Sequence, residues 1–238
     1  MMEAWQERTA LLLGDQGLER LASARVTVVG TGGVGAAAAE MLVRAGVGHL
    51  TLIDSDTVSE SNINRQLIAL HSTVGQPKCD VLRARLLDIN PALDLSVIPD
   101  YLHEDNVAPL IASPDYVVDA IDTLSPKIAL IQHCLKEGIP LVSSMGSGAK
   151  LDATAVRVAD IAKTYQCPLA HMLRKRLHHL GITTGFKAVF SPELPRRESV
   201  VIEESRNKKS QVGTISYLPT VFGCVCAQVV IEGICGIS

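Results

Sequence analysis

The chain has 238 residues, 47% of them hydrophobic and only 3% aromatic, with six cysteines and a formal charge of −3. That supplies enough Val, Ile, Leu and Ala for a sizeable core, which excludes general disorder and suits one large α/β domain over residues 1–238, or a domain with an appended lobe. The charge is unevenly spread: residues 1–149 carry 10 Lys and Arg against 18 Asp and Glu, net −8, whereas residues 150–211 carry 12 against 6, net +6.

The first residues, MMEAWQERTALLLGDQG, carry acids and lack an apolar core with a small-residue cleavage site, so no secretory signal is expected. The cysteines, at 79, 134, 167, 224, 226 and 235, show no C-x-x-C spacing. A reducing, cytoplasmic compartment is the default expectation.

Arg25 to Val29 reads as a strand, Gly33 to Ala45 as a helix and His49 to Ile53 as a second strand, together a βαβ unit. Between the first strand and the helix lies GTGGVG, in which Gly30, Gly32 and Gly35 have the G-x-G-x-x-G spacing and Gly33 completes the loop. Gly30 permits a tight turn out of the strand, Gly32 lets phosphate oxygens approach the backbone, and Gly35 allows the helix to pack closely on the sheet. The helix start directs N–H groups and a positive dipole end at an anion. Asp54, closing the second strand, stands where a ribose would be bound. Taken alone, this unit suits a dinucleotide-dependent oxidoreductase as well as an ATP enzyme.

Asn64 to His71 is expected to be a short helix. Gln76 to Ile89 is helical by the spacing of Val81, Leu82, Leu86 and Ile89, with Asn90-Pro91 as its stop. Leu95 to Ile98 and the continuous apolar run Asp115 to Ile121 read as strands, the latter as a buried parallel one. Lys127 to Lys136 is the next helix and Pro140 to Ser144 the next strand. The expected fold is a Rossmann-like, doubly wound, mostly parallel sheet with a small C-terminal extension, its strand ends at Gly30, Asp54, Ile121 and Ser144 lining one crevice.

From Gly146 the pattern changes. Residues 146–161 suggest a pair of short strands or a hairpin, Cys167 to Leu180 a basic helix, and Ser191 to Ser210 a flexible loop. The most apolar stretch, Tyr217 to Ile237, is interrupted by Pro219, Gln228, Glu232 and glycines, and reads as a core or interface helix more than a bilayer span. The basic segment includes Arg174, Lys175, Arg176, His178, His179, Arg196, Arg197, Arg206, Lys208 and Lys209. Such clustering suits the phosphates of a nucleic acid, and a solvated face is the alternative.

The residues after Asp54 discriminate between nucleotides. Asp56 to Gln66 reads DTVSESNINRQ, followed by GQPK ending at Lys78, INP at Ile89 to Pro91 and VVDAID ending at Asp122. Arg65 offers a fork of donors, Lys78 a compact charge, Asn62 and Gln66 neutral hydrogen bonds, and Asp122 a hard oxygen ligand for Mg2+. Two cations and a metal suit ATP and its departing pyrophosphate, whereas NAD needs no such concentration. Each residue also has a structural alternative: Lys78 as a surface lysine, Arg65 paired with Asp56 or Glu60, and Asp122 as a cap for a helix beginning near Ser125.

With these motifs in order, the chain resembles the adenylation domain of the ubiquitin-activating superfamily, which includes activators of the sulfur carriers of molybdopterin and thiamine synthesis. The resemblance implies that Asp54 binds ribose, with Asp56 beside it, that Asn62, Arg65, Gln66 and Lys78 surround the phosphates, and that Asp122 stands on the metal side. It also implies a homodimer in which Arg8 reaches into the partner subunit's ATP site. SSMGSGAKLDATAVRVADIAKT, CPLAHMLRKRLHHLGI, AVFSPELP and VGTISYLPTVFG resemble the tRNA threonylcarbamoyladenosine dehydratase branch. That branch implies ATP-dependent adenylation of the threonyl carboxylate of N6-threonylcarbamoyladenosine 37 in a tRNA, then closure to a hydantoin. The basic segment 150–211 would then face the tRNA. Ala153 stands where the branch usually has proline, and Gln166-Cys167 where an acidic residue commonly precedes Pro168. Both departures are expected to alter loop stiffness or a helix cap and to leave the ATP site intact.

Without paired C-x-x-C motifs, no zinc tetrad of the carrier-activator type is expected. The alternative is activation of a ubiquitin-like or sulfur-carrier C-terminus, with Cys167 or Cys226 accepting sulfur and a cysteine desulfurase or sulfur-acceptor protein as partner. In the dehydratase reading the cysteines need no catalytic role.

Overall fold

A computed structural model of the chain describes residues 3–201 and 211–237. Strands β1 (Arg25–Val29), β2 (His49–Ile53), β3 (Asp94–Ile98), β4 (Tyr116–Asp119), β5 (Leu141–Ser144), β6 (Arg157–Asp160) and β7 (Lys187–Phe190) form one sheet in the order β3-β2-β1-β4-β5-β7-β6. Every neighbouring pair is parallel except β6 with β7. The chain steps outward from β1 to β3 and then crosses back to lay β4 on the other side of β1. That reversal opens a crevice at the strand C-terminal ends between β1 and β4.

Among the described residues seven α-helices flank the sheet: α1 (Glu7–Ser23), α2 (Gly33–Ala45), α3 (Lys78–Ile89), α4 (Val107–Ile111), α5 (Leu124–Glu137), α6 (Pro168–His178) and α7 (Tyr217–Cys235). One face is covered by α1, α2, α3 and α7 through Leu21, Leu42, Leu82 and Phe222, the other by α4, α5 and α6 through Ile111, Leu130 and Leu173. Ala36, Ala37, Ala38 and Ala39 are fully buried, and a Cβ on Gly223 would stand 2.4 Å from the Val34 carbonyl oxygen. Small side chains on both partners thus let α2 and α7 approach almost backbone to backbone.

Helix α7 is long and apolar enough to cross a membrane, at 19 residues and mean hydropathy 1.8. Its Leu218, Phe222, Cys226 and Val230 are instead buried in the core against α2, as expected of a core helix.

The structure departs from the sequence expectations in three places. Residues 64–71 form turns, not a helix. Short 3-10 turns flank them at Glu60–Asn62 and His71–Thr73, and the Thr73 hydroxyl donates to the Ile68 carbonyl. Residues 146–161 form no local hairpin. Their one strand, β6, pairs with β7, so that Asp160 opposes Lys187 across a long connection holding α6. The expected flexible loop Ser191–Ser210 begins as anchored backbone, with Glu193 Oε2 accepting from the Leu151 and Asp152 N–H groups and the Arg196 N–H donating to the Ala149 carbonyl. It then enters a two-stranded ribbon of β8 (Val200–Val201) with β9 (Gln211–Val212). The intervening stretch, with Arg206, Lys208 and Lys209, lies outside the described residues.

Candidate active site

The strands deliver their C-terminal residues to one place. The Gly30 N–H donates to the Ile53 carbonyl at 2.8 Å and the Ala120 N–H to the Val29 carbonyl at 2.9 Å, binding the ends of β1, β2 and β4 together. Gly30 has φ +89°, and a Cβ there would meet the Ala120 carbonyl oxygen at 2.9 Å. A Cβ on Gly35 would lie 1.7 Å from the Gly30 carbonyl oxygen, so only glycine lets α2 start this close to the turn.

Asp54 is held by its neighbours. Its Oδ2 accepts from the Thr31 N–H at 2.6 Å and the Thr31 hydroxyl at 2.9 Å, while Oδ1 accepts from the Asp56 N–H at 2.8 Å. Thr31 is fully buried and fixes the carboxylate beside the glycine loop. It was visible in the sequence only as the variable residue inside G-x-G.

Lys78 opens α3 and is 6% exposed, which rules out the plain surface lysine. Its Nζ donates to Asp56 Oδ2 at 2.7 Å, an exposed carboxylate on the far side of the pair. Asp56 is therefore the partner of Lys78 and not of Arg65. Arg65 makes no ion pair among the described residues; its Nη1 donates to the Ser61 carbonyl and to Asn64 Oδ1, each at 2.8 Å. Among the described residues the Nε/Nη2 edge of the guanidinium has no protein acceptor, the geometry that suits a bidentate phosphate.

Two buried amides complete this side. Asn62 Oδ1 accepts from the Ser59 N–H at 3.1 Å. Gln66 is 8% exposed, its Oε1 is buried without a hydrogen-bond partner among the described residues, and its Nε2 would lie 3.6 Å from a Cβ on Gly32. The Gln66 amide thus stands against the glycine loop with its nitrogen toward Gly32, where it offers a neutral donor to a bound phosphate. A Cβ on Gly33 would come within 2.9 Å of Pro219 Cβ and 3.0 Å of the Arg65 carbonyl oxygen, so the loop, Arg65 and the start of α7 converge.

Asp122 is exposed, just beyond β4, and Thr123, not Asp122, occupies the N-cap position of α5. Behind it lies a network that sequence reading did not single out. Asp119 and Lys127 are both fully buried and joined at 2.6 Å. Asp119 Oδ2 also accepts from the Ser143 hydroxyl at 2.6 Å, its Oδ1 accepts from the Ile121 N–H at 3.1 Å, and Lys127 Nζ also donates to the Ser144 carbonyl at 3.0 Å. The pair thus pins the turn carrying Asp122 to the ends of β4 and β5. The only sequence signal was the acidic residue opening DAID, read as part of a strand.

Arg8 lies on the exposed first turn of α1, two residues from Gln6, whose amide approaches Gly46 at the C-terminal end of α2. It is therefore at the opposite end of α2 from the glycine loop of its own chain.

Of the basic residues, Lys175, Arg176, His178, His179, Arg196 and Arg197 are exposed, while half-buried Arg174 donates to the Thr164 hydroxyl. Exposed Tyr165 packs edge-on against Phe190 with ring centroids 5.6 Å apart, and its hydroxyl accepts from Arg157 Nη1 at 2.9 Å. Phe190 ends β7 on the crevice side, so this ring stands at the same end of the sheet as the glycine loop.

Five cysteines are buried and Cys224 is exposed. Burial pushes the thiols of Cys79, Cys134 and Cys226 up to about 12, which keeps them as unreactive thiols at neutral pH. Gln166, one of the two departures, has φ +54° immediately before Cys167, which is the N-cap of α6 and makes no side-chain cap. Ala153 opens a 3-10 turn capped by Asp152.

Residues 6–238 match the ThiF family. The chain is 42% identical over 227 residues to the tRNA threonylcarbamoyladenosine dehydratase of Bacillus subtilis, covering 92% of this chain and 89% of that protein. It is 46% identical over 202 residues to the Escherichia coli enzyme of the same name, covering 80% and 75%. Its fold superposes with a TM-score of 0.90 and 38% identity on E. coli tRNA N6-threonylcarbamoyladenosine dehydratase solved in complex with ATP, covering 99% of this chain and 96% of that one. The chain belongs to the ThiF family.

Proposed function

We propose that this protein is an ATP-dependent tRNA threonylcarbamoyladenosine dehydratase, acting on N6-threonylcarbamoyladenosine 37 of tRNA in the cytoplasm. The carrying observation is that the glycine loop is bordered by Arg65 and the buried Gln66 amide and, through Thr31, Asp54 and Asp56, by buried Lys78. The identity to named dehydratases supports the choice of substrate.

A free carboxylate is a poor acyl donor because oxide would have to leave. In this reading a threonyl carboxylate oxygen attacks the α-phosphorus of ATP, the bond to the bridging oxygen breaks and pyrophosphate departs. The neighbouring urea nitrogen then attacks the activated carbonyl, loses its proton and expels AMP, closing a five-membered ring. Because nucleophile and electrophile share one molecule, proximity supplies much of the acceleration. Arg65 and Lys78 stabilise the charge that develops on the phosphates, and Asp54 orients the ribose. No protein nucleophile takes part.

Among the described residues no cluster of three or more His, Cys, Asp or Glu is arranged to hold a metal. Mg2+ is commonly bound through one or two carboxylates plus the substrate phosphates. Asp122 would hold it, and its contribution is to neutralise charge on the departing pyrophosphate.

Leu11 and Leu12 on α1 are 89% and 83% exposed, an apolar pair next to Arg8. A homodimer that covers them and carries Arg8 to the partner subunit's phosphates accounts for both features. The segment 150–211 is the tRNA-facing part of a single ATP-binding domain, with Tyr165 offering a stacking face. The sulfur-carrier alternative loses support from the burial of Cys167 and Cys226 at 3% and 0% exposure.

The reading is tested by AMP release with tRNA that carries or lacks threonylcarbamoyladenosine. Release only with the modified tRNA is expected. Equal release with both, or release driven by a carrier protein instead, would refute it.

A further inference from the structure

Asn64 lies beside Arg65 and is exposed, yet both ends of its amide are engaged. Its Oδ1 accepts from Arg65 Nη1 at 2.8 Å and its Nδ2 donates to the Thr214 carbonyl at 2.9 Å, 150 residues along the chain. The amide supplies an acceptor and a donor from one planar group, and the opposite amide orientation would set oxygen against oxygen and nitrogen against guanidinium.

Thr214 belongs to the segment that leads from the ribbon into α7, and this segment is fastened on every side. The Gly213 N–H donates to the Ser199 carbonyl at 2.8 Å, the Ala149 N–H donates to the Gly213 carbonyl at 2.8 Å, and the Tyr217 hydroxyl donates to the Leu151 carbonyl at 2.7 Å. The crossing segment therefore touches the ribbon, the loop after β5 and, through Asn64, the guanidinium of Arg65. Pro219 then brings the start of α7 against Gly33 of the glycine loop.

We infer that Asn64 is a positioning residue that holds Arg65 in its phosphate-facing orientation and couples it to the crossing segment on the tRNA side. This rests on the reading of Arg65 as a phosphate residue. Arg65 Nη1 is occupied by Ser61 and Asn64, which stops the long side chain from sampling other rotamers and presents its remaining edge.

The test compares Asn64→Ala and Asn64→Asp with the unaltered protein and with Arg65→Ala. The readouts are steady-state AMP release over modified-tRNA concentration, binding of a non-hydrolysable ATP analogue, and thermal melting. Asn64→Ala is expected to lower kcat about tenfold, as loss of a neutral hydrogen bond acting at the transition state would. The analogue's Kd should stay within about twofold and the melting temperature should not move. Asn64→Asp keeps the acceptor for Arg65 and loses the donor to Thr214, so its defect should appear mainly as a raised KM for tRNA. Wild-type kcat and KM in Asn64→Ala, or a loss that follows a lowered melting temperature in both variants, would overturn the inference while Arg65→Ala remains inactive. Wild-type turnover in Arg65→Ala would instead overturn the reading of the site on which it stands.

Discussion

The Lys78 ammonium donates to Asp56 Oδ2 at 2.7 Å while the Lys78 backbone N–H donates to the Asp56 carbonyl at 2.9 Å, so the first residue of α3 is fastened to the loop after β2 by both its chains. The contact gives a buried cation a fixed position and leaves Asp56 mostly in solvent. Lys78→Ala and Arg65→Ala are each expected to cut turnover by about 100- to 1,000-fold, the usual cost of removing a group that stabilises transition-state charge. Circular dichroism and melting should be near wild type, and near-normal turnover would sink the phosphate assignment.

Lys127 and Asp119 make a different kind of pair, with no exposed atom on either side chain. Removing one member strands a charge in the core, so Lys127→Met should destabilise the fold by about 3–5 kcal/mol. The double variant Lys127→Met with Asp119→Leu should recover part of that loss in urea unfolding. A double variant less stable than the single one would contradict the assignment of the cost to an unpaired charge.

Glu40 of α2 accepts from Arg85 Nε at 2.6 Å and from Arg44 Nε at 2.9 Å. Burial raises its pKa, but the two guanidinium groups outweigh burial and hold it below its ordinary 4.5. A depressed carboxyl pKa contributes stability that is fully present above the unfolded value and is lost as pH falls through the folded one. Glu40→Gln should therefore lower stability at pH 7 and flatten its decline below about 4.5. Parallel stability–pH curves for the two proteins would show that Glu40 does not carry this effect.

The basic helix α6 should be read by salt. Replacing Arg174, Lys175 and Arg176 together with alanine should weaken tRNA binding and reduce the slope of log K against log salt by up to about 2, at about 0.7 per phosphate contact. An unchanged slope would mean that α6 faces elsewhere.

Single replacement of each cysteine should spare cyclisation, since the mechanism needs none of them. An inactive variant with wild-type melting would revive sulfur transfer.

Local chemistry made the first βαβ unit legible: Arg25–Val29, Gly33–Ala45 and His49–Ile53 have the same bounds in the structure as in the sequence reading, because glycine punctuation and apolar runs determine them. The segment 64–71 misled because its apolar spacing serves tertiary contacts. Ile68 and Ala69 enter the core while Asn64 reaches Thr214, and a helix could not satisfy both. The pairing of β6 with β7 depends on residues some 30 positions apart, as Asp160 opposite Lys187 shows, and no local pattern encodes it. Asp54, Arg65, Gln66 and Lys78 stand out in the sequence by type and order, and the fold gathers them around the glycine loop. Thr31 and the Asp119–Lys127 pair do not stand out, since Thr31 is hydrogen-bonded to Asp54 and the pair is buried behind the turn after β4.

The most direct measurement is mass spectrometry of tRNA nucleosides after incubation of threonylcarbamoyladenosine-bearing tRNA with the protein, ATP and Mg2+. The modified nucleoside should lose one water with the unaltered protein and stay intact with Lys78→Ala. An intact nucleoside in both reactions, with ATP consumed, would contradict it.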